Sequence, residues 1–286
     1  MKRPPRVVRT VKELRQFVLA SRSGGKTIGL VPTMGALHHG HLSLVSEISK
    51  HVDVPIVSIF VNPTQFGKDE DFGTYPREEQ ADLEKLTSTN TSLVFAPTVD
   101  EMYPVGDVTT VSVNGITSLF EGEARPGHFD GVATVVSKLL LQCQPDFAIF
   151  GEKDFQQLAV IRQFVRDLSV PTTIIGGPII READGLAASS RNAYLSEPGR
   201  KVAGQLNIIL KALVKNISQG GNIRHAEEDA SSALLKAGFD TVDYVSVVDP
   251  STLEPASAVI QSARVLAVAR IDGVRLLDNM AIEMPR

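Results

Sequence analysis

The sequence predicts an α/β fold, a Rossmann-like doubly wound parallel sheet followed by a smaller α+β domain at the C-terminus. Over the first 180 residues, short apolar runs alternate with helical patterns. Several of these runs are apolar at successive positions, which is typical of strands buried on both faces. After about Arg181 the alternation stops. We therefore expect domains at 1–179 and 180–286.

The first domain contains five predicted strands and four predicted helices. The strands are short and β-branched: Thr27–Thr33, Pro55–Val61, Ser92–Ala96, Phe147–Lys153 and Thr172–Arg181. The helices lie between them or after them: Leu42–Lys50, Arg77–Leu86, Gly131–Gln142 and Phe155–Leu168. In the last helix, Leu158, Ile161 and Val165 recur at spacings of three and four, the period of one helix face. Such folds bind ligands beyond the carboxyl ends of the strands.

The second domain begins with two predicted helices, Glu197–Ile217 and Ile223–Ala237, separated by a pair of glycines. Three strand-like runs follow: Val242–Val248, Arg264–Ile271 and Val274–Asn279. Asp272-Gly273 between the last two is a strong hairpin signal. With the active site expected at the domain boundary, we expect this domain to act as a lid that excludes water.

Composition and charge exclude several classes of protein. With 43% hydrophobic and 22% charged residues, the chain is neither disordered nor a disulfide scaffold. A net charge of −4 argues against a nucleic-acid partner. The single cysteine, Cys143, favours a reducing compartment. No apolar run is long enough to span a membrane, and no signal-peptide core follows the basic residues Lys2 and Arg3. We expect a cytoplasmic protein.

The segment with the most chemical information runs from Val31 to Leu42, with the sequence Val-Pro-Thr-Met-Gly-Ala-Leu-His-His-Gly-His-Leu. It leaves a predicted strand, crosses a turn and enters a helix, whose free N–H groups suit phosphate. His38 and His41 can donate hydrogen bonds as charge builds in phosphoryl or nucleotidyl transfer. A tight turn with incidental histidines is the alternative, but three of six histidines lie within four positions. A metal site is less favoured because no Cys or Glu stands at ligand spacing.

Pro32-Thr-Met-Gly-Ala-Leu-His-His-Gly-His41 resembles the nucleotide-binding signature of the pantothenate synthetase family, which belongs to the HxGH nucleotidyltransferase superfamily. Further segments resemble the family in the same order: Ile59–Phe66, Tyr75–Arg77, Phe120–Phe129, Gly151–Gln157 and Ser189–Ser196. HxGH alone is weak evidence, whereas the ordered set is highly specific.

The resemblance implies an ATP-dependent ligase that condenses pantoate with β-alanine through a pantoyl adenylate, releasing pyrophosphate and AMP. Adenylylation turns a carboxylate oxygen into a leaving group, so both steps depend on positioning and charge stabilisation. The resemblance also implies Mg²⁺ with the ATP and a homodimer. Two other functions remain open: another HxGH nucleotidyltransferase, or a regulator that binds a nucleotide without catalysis.

The resemblance also implies the roles of individual residues. The catalytic residues would be His41 as proton donor, His38, Lys153, Ser189 and Arg191. The ATP-binding residues would be Met34, Gly35, Ala36, Leu37, His38, His39, Gly40, His41, Gly151, Glu152, Lys153, Asp154, Ile180, Ala188, Ser189, Ser190 and Arg191. Pantoate and β-alanine would be bound by Gln65 and Gln157, with Asn62 supporting the same region.

Ordinary structural roles compete with these assignments when each residue is taken alone. Gln65 and Asn62 could be polar strand ends, Asp154 a helix N-cap and Arg191 part of a surface ion pair. Together, at predicted strand ends, they favour one site. The Mg²⁺ ligands stay open: Asp82 is a candidate, and a solvated helix face is an equal alternative.

One segment and two single positions also bear on the expected site. Residues 121–128 are predicted to form a flexible loop, in which Arg125 or His128 would belong to a lid or a subunit contact and lie outside the site. Phe155 stands where the family often has Tyr, and Ala188 where a larger apolar residue is common. Ala188 would leave more space beside the nucleotide.

Overall fold

The computed structural model describes residues 4–67, 70, 72–259 and 262–283. The basic residues at the start of the sequence lie outside this range. By their contacts, the described residues form two units. The first comprises those of Met1–Glu152 and Gln156–Pro178, and the second those of Lys153–Phe155 and Ile179–Arg286. No helix in the described ranges is long and apolar enough to cross a membrane. The role of the second unit as a lid stays a prediction.

The first unit contains a six-stranded sheet in which every neighbouring pair is parallel. Its strands are β1 Arg6–Val8, β2 Ile28–Thr33, β3 Val54–Ile59, β4 Leu93–Phe95, β5 Phe147–Gly151 and β6 Thr173–Gly177. Their order is β1-β4-β3-β2-β5-β6. From β2 onward, the chain adds β3 and β4 on one side of β2 and then β5 and β6 on the other. β1 lies at the edge beside β4. This topology confirms the predicted doubly wound sheet, whose ligands gather where the order reverses.

Helices cover both faces of this sheet. The α-helices of the first unit are α1 Val11–Ser23, α2 His39–Ile48, α3 Glu79–Leu86, α4 Val99–Met102, α5 Glu121–Ala124, α6 His128–Cys143 and α7 Phe155–Asp167. The first residue of α7, Phe155, groups with the second unit. Alternate side chains of the central strands enter two different cores. Leu30 and Ile56 pack with α1, α6 and α7. Val31 and Val57 pack with α2 and α3. Cys143, at the end of α6, is buried and forms no disulfide.

Four elements, β1, α1, α4 and α5, lie outside the predicted strands and helices. A complete capping box begins α1, because the Thr10 hydroxyl accepts the Glu13 N–H and the Glu13 carboxylate accepts the Thr10 N–H. Leu14 and Val18 then lie buried four residues apart. These signals are local and were available in the sequence.

Three predicted strands extend too far by two residues or more. β3 ends at Ile59 and not at Val61. β5 ends at Gly151, and residues Glu152–Asp154 form a 3₁₀ turn, so Lys153 lies in a turn and not in a strand. β6 ends at Gly177. Pro178 follows it, and proline has no N–H to continue a ladder. Arg181 belongs instead to an isolated antiparallel bridge with Ala187.

The second unit packs three helices on an antiparallel sheet. The helices are α8 Glu197–Ala203, α9 Gln205–Ser218 and α10 Ile223–Ala237. The strands are β7 Thr241–Val248, β8 Ser262–Ile271 and β9 Val274–Glu283, in the order β7-β8-β9. The predicted single helix Glu197–Ile217 is wrong, because the chain divides at Gly204. A Cβ on Gly204 would lie 2.9 Å from Asp184 Oδ2. The Asp272-Gly273 hairpin is confirmed, with φ values of 53° and 71°.

Candidate active site

The turn after β2 carries the histidine-rich segment. Gly35 and Ala36 both have positive φ values, 86° and 50°. This conformation is costly for alanine. The following backbone is held from α3: the Leu37 N–H donates to Asp82 Oδ1 at 2.7 Å, and the Leu37 carbonyl accepts Lys85 Nζ at 2.8 Å. Side chains from α3 thus fix the path of the chain into α2.

His38 and His41 share one hydrogen-bonding pattern at the start of α2. The Gly40 N–H donates to Nδ1 of His38 at 3.1 Å, and the His38 N–H donates to Nδ1 of His41 at 3.3 Å. Their ring centroids are 4.1 Å apart. Because each Nδ1 accepts a backbone proton, the ring proton lies on Nε2. Each imidazole can therefore donate from Nε2 to a phosphate oxygen. His39 between them is exposed.

Asp82 is the buried carboxylate of α3 that binds the backbone after this turn. Its side chain is 1% exposed, so the expectation of a solvated helix face is wrong. Burial raises the pKa of Asp82. Its Oδ2 is buried and has no hydrogen-bond partner among the described residues. In those residues there is also no cluster of three or more His, Cys, Asp or Glu that could hold a metal ion. The side chains of the described residues therefore fit an ion such as Mg²⁺ only if phosphate and water supply most of its ligands.

Asn62 and Gln65 lie just beyond β3, and Gln65 ends a short 3₁₀ turn, Pro63–Gln65. Asn62 is 1% exposed, and its amide donates to Gln65 Oε1 at 3.0 Å and to the Gly131 carbonyl at 3.1 Å. Its Oδ1 accepts the Tyr103 hydroxyl at 2.8 Å. Gln65 Nε2 in turn lies 3.3 Å from Met34 Sδ. The structure therefore brings Gln65 against the turn after β2, and Asn62 orients its amide.

His128 also contacts Gln65, although it was expected in a flexible loop outside the site. The expectation of a flexible loop is wrong at this residue, because His128 is buried and begins α6. Arg125 Nη1 donates to Nε2 of His128 at 3.0 Å, so the ring proton lies on Nδ1 and donates to the Gln65 carbonyl at 2.8 Å. Burial and the Arg125 charge lower the pKa of His128 to about 4. Arg125 itself forms an ion pair with Glu70.

A glycine allows α6 to approach Gln65 this closely. A Cβ on Gly131 would lie 2.4 Å from the Thr64 carbonyl oxygen and 2.7 Å from Gln65 Cα. Either distance is far inside van der Waals contact, so only glycine fits here. The first turn of α6 thus fixes the Gln65 backbone through Gly131 and His128.

Gly151 and Glu152 lie at the carboxyl end of β5, where Gly151 pairs with Gly177. Gln157, in the first turn of α7, is half-buried. Its neighbour Gln156 is buried and has a structural role, because its amide donates to the Ile116 and Leu119 carbonyls, both at 2.7 Å.

The remaining predicted residues belong to the second unit. Lys153 Nζ lies 3.7 Å from Asp154 Oδ1. The Ala188 N–H donates to the Ile180 carbonyl at 2.9 Å. Ser189 caps the 3₁₀ turn Ser190–Tyr194, since its hydroxyl accepts the Arg191 N–H at 3.3 Å. The structure thus brings Ile180, Ala188, Ser189, Ser190 and Arg191 together within this unit.

Comparison with known proteins shows the family to which the chain belongs. The family model for pantoate-beta-alanine ligase matches residues 6–281. The chain belongs to the pantoate-beta-alanine ligase family. It is a ligase with pantothenate synthetase activity, and it condenses pantoate with β-alanine using ATP. The family expected from the ordered motifs is confirmed.

Curated and solved members of the pantoate-beta-alanine ligase family are similar over nearly their full length. The pantothenate synthetase of Paramagnetospirillum magneticum is 52% identical, over 97% of this chain and 98% of that protein. The crystal structure of pantothenate synthetase from Thermus thermophilus has a TM-score of 0.92 at 45% identity, covering 98% of this chain and 100% of that one. The Francisella tularensis pantoate-beta-alanine ligase, complexed with beta-gamma ATP and beta-alanine, has a TM-score of 0.80 at 34% identity, covering 96% and 97%.

Proposed function

We propose that the condensation proceeds in two steps. The pantoate carboxylate first attacks the α-phosphorus of ATP and expels pyrophosphate. The β-alanine amine then attacks the acyl carbon of the pantoyl adenylate and expels AMP. The contact between Gln65 and Met34 carries this proposal, because it puts a candidate pantoate ligand against the candidate nucleotide turn. Both reactants would then meet in the orientation that the first step requires.

The histidine pair is proposed to stabilise charge on the phosphates. Nε2–H groups on His38 and His41 would donate to phosphate oxygens as negative charge moves onto the leaving pyrophosphate. Their support is the pair of backbone N–H groups that hold each Nδ1 as an acceptor. His41 would be the proton donor of the pair. Met34–His41 as a whole would line the nucleotide.

The charged and polar residues outside this turn are proposed to contact ATP as the family resemblance implies. Lys153 and Arg191 would neutralise phosphate charge, Lys153 as a point charge and Arg191 as a fork. Ser189 would bind phosphate next to Arg191. The remaining ATP contacts would come from Gly151, Glu152, Asp154, Ile180, Ala188 and Ser190.

Gln65 and Gln157 are proposed to bind pantoate, because an amide can donate to its carboxylate and accept from its hydroxyls. Asn62 is proposed to act through Gln65, since its buried amide already bonds Gln65 Oε1 and the Gly131 carbonyl.

Mg²⁺ is proposed to arrive with ATP, held by phosphate and water. Asp82 Oδ2, which is buried beneath Gly35 of the nucleotide turn, is the candidate carboxylate ligand. The ion would neutralise phosphate charge. A homodimer is also proposed, supported by the family resemblance. A cytoplasmic location is proposed from the single cysteine, which forms no disulfide within the chain.

Product release tests the two-step proposal. With ATP, Mg²⁺ and pantoate alone, we expect one pyrophosphate per site and no AMP turnover. Adding β-alanine should give multiple turnovers of both products. Pyrophosphate release that ignores pantoate would contradict the proposal.

A Gln65→Ala variant tests the substrate map. Its KM for pantoate should rise about tenfold or more, since it loses hydrogen bonds to a charged ligand. Its KM for ATP should change little. Gln163→Ala, at a partly exposed position of α7, is the matched control and should match the parent. A selective rise in the KM for ATP would mean that the assignment is wrong.

A further inference from the structure

The carbonyl of Lys153 is held by a residue distant in sequence. Asn279 lies on β9 of the second unit and is 2% exposed. Its Nδ2 donates to the Lys153 carbonyl oxygen at 2.8 Å, over a sequence separation of 126 residues. Lys153 is thereby tied to the C-terminal sheet of its own unit.

Neighbouring groups fix the orientation of this amide. Arg264 Nε donates to Asn279 Oδ1 at 2.7 Å, which turns the Nδ2 of the amide toward Lys153. The backbone N–H of Asn279 donates to Asp278 Oδ1 at 2.7 Å. Asp278 is in turn bound by both terminal nitrogens of Arg181, at 2.7 and 3.0 Å. Hydrogen bonds thus fix both the Asn279 amide and its backbone N–H.

Arg264 also contacts Phe155, which lies two positions after Lys153. The Arg264 guanidinium carbon lies 4.0 Å from the centroid of the Phe155 ring. Arginine stacks on aromatic faces while its N–H groups stay available for hydrogen bonds. Lys153 is thus held through its own carbonyl and through the packing of Phe155.

We propose that Asn279 is a positioning residue for Lys153, an inference that rests on the proposed role of Lys153 at the ATP phosphates. A lysine ammonium sits on a flexible four-carbon stem, so the place of its Cα decides where the charge can reach. A displacement of about 1 Å at a positioned group can cost about 10²-fold in rate. The Asn279 amide accepts from Arg264 and donates to the Lys153 carbonyl at once, which a carboxylate cannot do.

An Asn279→Asp variant tests this because it keeps the acceptor for Arg264 and removes the donor to Lys153. We expect kcat/KM for ATP to fall about 10- to 100-fold, with the KM for pantoate within about twofold of the parent. Asn207→Asp is the matched control. Asn207 is also buried in the second unit, and its Nδ2 has no hydrogen-bond partner among the described residues. This control should lower the melting temperature and leave ATP use unchanged.

Two further variants separate the possible failures. Arg264→Met removes the donor that orients the amide and should reduce ATP use in the same direction. Arg264→Met therefore tests the positioning role even if Asn279→Asp does not fold. Lys153→Ala tests the role on which the inference rests. If Lys153→Ala is impaired but folded Asn279→Asp or Arg264→Met uses ATP as the parent does, the positioning role is overturned. If Lys153→Ala uses ATP normally, the proposed role of Lys153 fails first.

Discussion

Histidines begin two helices of the first unit, and they carry their ring protons on opposite nitrogens. At the start of α2, His38 and His41 accept backbone N–H groups at Nδ1 and so hold a proton at Nε2. At the start of α6, His128 accepts Arg125 at Nε2 and donates from Nδ1 to the Gln65 carbonyl. The same side chain is thus proposed for phosphate chemistry at α2, whereas at α6 it holds the backbone of Gln65. The local donors, not the residue type, decide which.

The largest effect is expected at His41. His41→Ala should lower the rate of pantoyl-adenylate formation by about 10³-fold, within the range typical of a lost proton donor. Pre-steady-state pyrophosphate release measures this step directly. His225→Ala, on the exposed start of α10, is the control and should match the parent. An unchanged rate in His41→Ala would contradict the proposed role of His41 as a proton donor.

At His38 the helix cap can be separated from the chemistry. Asparagine also caps helices well, so His38→Asn should leave the free energy of unfolding within about 0.5 kcal/mol of the parent. It removes the Nε2 donor, and kcat should fall about 10²-fold. Chemical denaturation and steady-state kinetics give the two values. If stability fell while kcat held, the cap would be the main role of His38.

The buried histidine should make stability depend on pH. Folding lowers the pKa of His128 from 6.5 to about 4, so between these values the unfolded chain binds more protons. The free energy of unfolding therefore falls as the pH is lowered through this window. From pH 7 to pH 5 the His128 share of this loss is about 2 kcal/mol, or about 30-fold in the unfolding equilibrium.

His128→Asn provides the comparison, because it cannot titrate and other groups contribute equally to both proteins. Urea denaturation at pH 7 and pH 5 should show a smaller pH effect in this variant. An equal loss in both proteins would mean that His128 is not held neutral.

The smallest effect is expected on pantoate affinity. His128→Ala removes the donor to the Gln65 carbonyl and should raise the KM for pantoate about five- to tenfold. The KM for ATP should stay within about twofold. His128→Asn should restore much of the pantoate affinity, since its amide can donate where Nδ1 does. If both variants raised the KM for pantoate equally, the hydrogen bond would not be the cause.

Local sequence signals were enough for most of the fold. Strand alternation predicted the parallel sheet, and Asp272-Gly273 predicted the terminal hairpin. The first helix was also readable from the capping box formed by Thr10 and Glu13. The break at Gly204 had only a glycine as its signal, because the cause is an approach to Asp184.

Contacts of the candidate site were predictable where one segment contains them and not where distant segments meet. The turn from Met34 to His41 is continuous, and its strand-to-helix pattern predicted its place. His128 contacts a carbonyl 63 residues away, and Asn279 one 126 residues away. No spacing in a single sequence reports such contacts. Both residues hold the backbone of a residue whose side chain was predicted for the site.

The burial of Cys143 has a practical consequence for spectroscopy. Burial raises the pKa of this thiol to about 12, so almost none of it is thiolate at neutral pH. It is also the single cysteine of the chain. A cysteine introduced at an exposed position would therefore react alone with a maleimide dye or a spin label. The chain is in effect ready for site-specific labelling without removal of its native thiol.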